Sequence, residues 1–100
     1  MQLQQNYTAF QSAGAEVVAL AVAPRSAVNG VRQTVGATYP MLADPEHKAA
    51  EAYGVYNLLR DQLAAPSVFV IDTDQSILWY HVGRDPGDRP GVQEIMQNLP

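Results

Sequence analysis

Apolar positions along the chain alternate between two periods. Leu3, Tyr7 and Phe10 recur at the spacing of one helical face, and Gly14 can stop that helix in a left-handed conformation, so residues 3–13 read as an amphipathic helix. Glu16-Val-Val-Ala-Leu-Ala-Val22 is then continuously apolar after its first residue and rich in β-branched side chains, the pattern of a strand buried on both faces of a parallel sheet. Ser26 can cap a second helix with Val28, Val31 and Val35 on one face and Gly36 past its end; Gly30 weakens its interior by about 1 kcal/mol relative to alanine.

Tyr39-Pro-Met-Leu42 reads as a short strand whose proline suggests a sheet edge. Asp44-Pro45 predicts a helix start, an N-cap acceptor followed by proline at the first helical position, with Ala49, Ala50 and Tyr53 on the helix and Gly54 at its end. Residues 55–64 read as loop with one helical turn around Leu58-Leu59. Ser67-Val-Phe-Val-Ile71 is a second buried strand, Asp72-Thr-Asp-Gln75 a hairpin turn, and Ile77-Leu-Trp-Tyr-His-Val82 an antiparallel return. A polar Pro/Gly loop covers 83–91, and Val92, Ile95, Met96 and Leu99 mark a last helix. Strands alternating with helices, closed by a hairpin, predict an α/β domain with a mixed sheet over residues 1–100.

Bulk properties narrow the function. One hundred residues suit one domain, and 47% hydrophobic against 16% charged residues suits a folded one. The net charge is −4, and six scattered Lys and Arg make no basic stripe, so the expectation is no nucleic-acid partner. The longest apolar stretch, 17–23, is far short of the roughly 20 residues that cross a bilayer, and no basic, then apolar leader opens the chain; the expectations are no membrane association, no signal peptide and a cytoplasmic location. The absence of cysteine excludes disulfides, thiolate metal sites and cysteine nucleophiles within this sequence.

Five segments in order and spacing carry a resemblance: 14–22, Tyr39-Pro-Met-Leu-Ala-Asp-Pro45, Ala52-Tyr-Gly-Val55, Ala65-Pro-Ser-Val-Phe-Val-Ile-Asp72 and Trp79-Tyr-His-Val-Gly83. Together they resemble the redoxin superfamily, most of all the alkyl hydroperoxide reductase/thiol-specific antioxidant (AhpC/TSA) proteins. The resemblance implies a thioredoxin-like fold and thiol-dependent reduction of peroxides or disulfides, with a thiol electron donor or a peroxide as partner and no cofactor. It also implies a strand and a loop bearing the reactive cysteine just ahead of Leu3, upstream of Met1. That strand would lie between the counterparts of 16–22 and 67–71. Without it, open sheet edges predict a marginal chain that forms homo-oligomers or aggregates.

A thiolate is what both redoxin reactions require, and the thioethers of Met1, Met41 and Met96 have no proton to lose. By resemblance Ala65 and Pro66 face the substrate, with a cis bond between them; from the residues alone, Pro66 equally reads as a proline opening a strand. Many peroxiredoxins carry an arginine there, a departure that shifts the chain towards thioredoxin-like or atypical members. No catalytic residue, metal or cofactor is expected within the chain. His47 reads as a solvated helix residue, and His81 as a half-buried sheet histidine rather than a base. Ser67, His81 and Asp72 could be drawn as a triad, but no nucleophile elbow surrounds Ser67. Asp72 and Asp74 read as turn formers, Arg84, Asp85, Asp88 and Arg89 as an ion-paired loop, and Trp79 and Tyr80 as neighbours on opposite sheet faces. The alternative function is a cysteine-free binding or interaction module on the thioredoxin scaffold.

Overall fold

The computed structural model describes residues 2–100. Two helices open it, α1 (Gln2–Gln5) and α2 (Tyr7–Ser12). The expected single helix is broken at Asn6, a residue whose side chain competes for backbone groups inside a helix. β1 (Ala19–Ala21) is shorter than the apolar run, because a ladder is only as long as its partner. That partner is β2 (Met41–Ala43), which lies parallel to β1 in the register Ala19–Met41, Leu20–Leu42, Ala21–Ala43.

Between them runs α3 (Arg25–Val35). Pro24, in extended conformation, takes the N-cap place expected of Ser26, which sits inside the helix. Gly36 ends it at φ 66°, and the Ala37 N–H reaches back to the Arg32 carbonyl at 3.0 Å, closing the last turn. The helix predicted from Asp44-Pro45 begins later, as α4 (Lys48–Ala52). Asp44-Pro-Glu-His47 is instead a turn, with the His47 N–H bonded to the Asp44 carbonyl at 3.0 Å; proline suits the second position of such a turn as well as the first of a helix. Asp44 caps α4 all the same, since its Oδ2 accepts the Ala50 N–H at 2.9 Å.

Residues 55–64 contain no helical turn. They fold back on themselves through a Tyr56–Ala64 bridge, with Asn57, Arg60 and Gln62 all at positive φ. β3 (Ser67–Ile71) and β4 (Ile77–Val82) form an antiparallel hairpin with an irregularity between Val70 and Ile71, as the alternating pattern requires. α5 (Val92–Gln97) follows.

The strands make two separate pairs, β1–β2 and β3–β4, rather than one continuous sheet. One core nevertheless touches both. Phe10, Val70 and Ile95 are its buried centre, and Leu3, Val17, Val68, Trp79, Val92 and Met96 pack on it. α2 and α5 thus cover the face of β3–β4 that carries Val68, Val70 and Trp79. On the other face Tyr80 is 63% exposed, which places it opposite Trp79 as strand alternation demands. The strands expected to be buried on both faces are covered on one: Leu20 and Leu42, cross-strand neighbours, are each about half exposed.

Candidate functional site

Ala65 and Pro66 sit where three segments meet. The Ala65 N–H donates to the Val55 carbonyl at 2.9 Å, tying the start of β3 to the loop behind it, and Ala65 is buried. The Pro66 carbonyl accepts the Gly83 N–H at 2.7 Å, which extends the β3–β4 ladder by one pair. Gly83 has no room for a side chain, because a Cβ there would stand 2.5 Å from the Asp88 carbonyl oxygen and 2.9 Å from that of Pro66. Absence of a Cβ therefore lets the 83–91 loop fold directly over Pro66.

The Ala65–Pro66 bond is trans: the described residues contain no cis peptide, which corrects the expectation drawn from resemblance. Pro66 behaves as the residue that opens a strand, where its missing N–H removes no interior ladder bond. Trans is also the favoured isomer of an X–Pro bond by about 0.5–1 kcal/mol.

The 83–91 loop is held by carboxylates on backbone rather than by Arg–Asp pairs. Asp88 Oδ2 accepts the Arg84 N–H at 2.8 Å and its Oδ1 lies 3.0 Å from His81 Nε2; Asp85 accepts the Gly87 N–H, and Arg89 donates to the Pro86 carbonyl. The Arg84 N–H, and then the His81 ring, hold the Asp88 carboxyl below its ordinary range. His81 is half-buried and stacked near Trp79, so it is the paired sheet histidine anticipated.

Ser67, His81 and Asp72 do not come together. Ser67 pairs with Val82 and Val68 with His81, so the serine and histidine side chains point to opposite faces. Asp72 stands at the far end of β3 and accepts the Thr73 N–H in the hairpin; Asp74 likewise accepts the Ser76 N–H, and this bonding with the Ser76 side chain and backbone lowers its pKa. His47 is paired with Glu51 at 2.9 Å and stacked on Tyr56 at 3.9 Å, so it is engaged rather than merely solvated. Met1, the reference point for the expected upstream cysteine, lies outside the described residues.

Two features had no signal in the sequence. Asp88 as the partner of His81 is seven residues distant across an irregular loop, which no period reveals. On the β3–β4 face away from α2 and α5, Tyr53, Phe69, Leu78 and Tyr80 line an open apolar groove of about 660 Å³. The Tyr53 and Phe69 rings meet edge-on at 4.8 Å on its floor. Neither feature supplies a nucleophile. No described helix is long and apolar enough to cross a membrane.

Comparison with known proteins places this arrangement. No curated protein matches the chain. Among solved structures, Enterococcus faecalis AhpC superposes with a TM-score of 0.87 at 24% identity, over 98% of this chain and 60% of that one. Mycobacterium tuberculosis AhpC superposes with a TM-score of 0.80 at 20% identity, over 95% of this chain and 54% of that one. The fold is therefore thioredoxin-like, and the chain spans less than two thirds of either structure's length. The family model described as "AhpC/TSA family" matches residues 1–80. On that match, the chain belongs to the AhpC/TSA family.

Proposed function

We propose that this chain is the greater part of a peroxiredoxin-like redox domain, an antioxidant type of fold for thiol-dependent reduction of peroxides or disulfides, and that it is inactive by itself. The family match over residues 1–80 in a sequence without cysteine carries this reading. A thiolate attacks the peroxide oxygen or the disulfide sulfur in such chemistry, and no side chain here can replace it. What the chain contributes is a rigid platform. Ala65 and Pro66, fixed by Val55 and Gly83, are the residues that would face a substrate brought by a cysteine-bearing segment.

The test is peroxide consumption with dithiothreitol or thioredoxin as donor. The 100-residue chain should show none, and consumption above that of heat-killed protein overturns the reading. The codons upstream and in frame with Met1 discriminate further. An apolar run followed by a cysteine about ten residues before Leu3, an interval that fits one strand and its loop, supports the redox domain. A stop codon directly upstream favours the alternative, a non-catalytic binding module, for which the lack of cysteine is the supporting observation.

A further inference from the structure

The two strand pairs present unused backbone towards the same layer. In the parallel pair, the Ala19 N–H donates to the Pro40 carbonyl at 3.0 Å and the Ala21 carbonyl accepts the Asp44 N–H at 2.8 Å, so Ala19 and Ala21 turn their polar groups to β2. Alternation then directs the Leu20 N–H and C=O away from β2. In the hairpin, the bond from the Gly83 N–H to the Pro66 carbonyl sets the ladder's phase. Pro66–Gly83, Val68–His81 and Val70–Trp79 are the bonded pairs, which directs the N–H and C=O of Ser67 and Phe69 away from β4. β1 and β3 do not pair with each other.

Both edges nevertheless belong to one layer. Val17, leading into β1, and Val68 and Val70 of β3 pack on the same Phe10–Ile95 core. The likeness to E. faecalis AhpC holds over 98% of this chain, so the two pairs keep the placement they have in a longer chain and have not closed up. Open edges with donors and acceptors on both sides of a shared core are a template for strand addition.

We infer that the space between β1 and β3 is a docking site for one extended, proline-free, apolar peptide segment, bonded to Leu20 on one edge and to Ser67 and Phe69 on the other. Its side chains lie alternately over the Phe10–Ile95 core and over the half-exposed face of Leu20. The chain is thus a strand acceptor, able to take this segment in trans. The inference rests on the proposed redox reading, because a cysteine would reach Pro66 on such a segment, but its test reads no activity.

Amide hydrogen exchange on the 100-residue chain decides it. The probe is a Val-Leu-Val-Phe-Val peptide flanked by lysines, with a copy N-methylated at alternate residues as control. In the free chain the Leu20, Ser67 and Phe69 amides should exchange quickly while Val70, bonded to Trp79, exchanges slowly. The peptide should slow the first three by roughly tenfold or more, and the methylated copy should not. The inference fails if those amides are slow in the free chain at every concentration, meaning the strands have closed up. It fails equally if their protection rises with protein concentration, which assigns the edges to a second copy. Indifference to methylation, or a chain that stays aggregated with the peptide present, also overturns it.

Discussion

Asp88 Oδ1 lies 3.0 Å from His81 Nε2 while its other oxygen takes the Arg84 N–H, so a single carboxylate pins the loop after β4 to that strand. The same loop presses its backbone against Gly83 and, through Gly83, against Pro66. Half of the platform around Pro66 thus depends on a side chain that never touches it.

Acid should loosen this platform. The Asp88 carboxyl titrates below its ordinary value of about 3.9, and so do those of Asp44 and Asp74. A carboxyl with a depressed native pKa contributes stability at pH above the unfolded value and loses it as pH falls through the native one. Urea midpoints should therefore hold steady from neutral pH to about 5 and decline below about 4. Asp88→Asn should lower the plateau and make the acid decline shallower; an unchanged acid limb would contradict this account of the loop.

Gly83→Ala should cost about 1–3 kcal/mol, since the new methyl meets two backbone oxygens that cannot swing aside. Gly91→Ala is the matched control: nothing lies within 4 Å and its φ of −73° suits any residue. Chemical denaturation of the two variants should separate them clearly, and equal midpoints would refute the close approach.

Gly30→Ala should stabilise the chain. Gly30 lies inside α3, nothing stands within 4 Å of a Cβ there, and alanine is favoured over glycine in a helix by about 0.8–1 kcal/mol. A rise in the urea midpoint is expected, and a fall would mean that α3 is not a continuous helix in solution.

Ile95→Ala should cost about 2–5 kcal/mol, because the residue is buried among Phe10 and Val70 and couples α5 to the hairpin. Val31→Ala, on the exposed side of α3, should stay within about 0.5 kcal/mol of the parent. Equilibrium unfolding that ranks Val31→Ala as the more damaging would place the core elsewhere.

Local pattern was a good guide where neighbours in sequence supply the partners. Ser67–Ile71 and Ile77–Val82 form the strands their alternation predicts, since the turn between them makes each the other's partner. Gly36 ends α3 in the left-handed conformation that glycine adopts without a Cβ penalty. Order, helix–strand alternation and family were therefore legible in the residues alone, as was the lack of a thiol.

Pattern misled wherever one signal serves two structures. Asp44-Pro45 opens a turn as readily as a helix, and Pro66 opens a strand in trans as readily as in cis; the bonds of His47 to Asp44 and of Gly83 to Pro66 come from the fold. The apolar run at 17–22 announces burial on two faces, yet a strand can only be as long and as covered as its partners permit. Whether the edges of β1 and β3 meet, and which carboxylate finds His81, are settled by distances between residues far apart in the chain. No local periodicity encodes those distances, because they arise only when the helices have packed the two strand pairs onto one core.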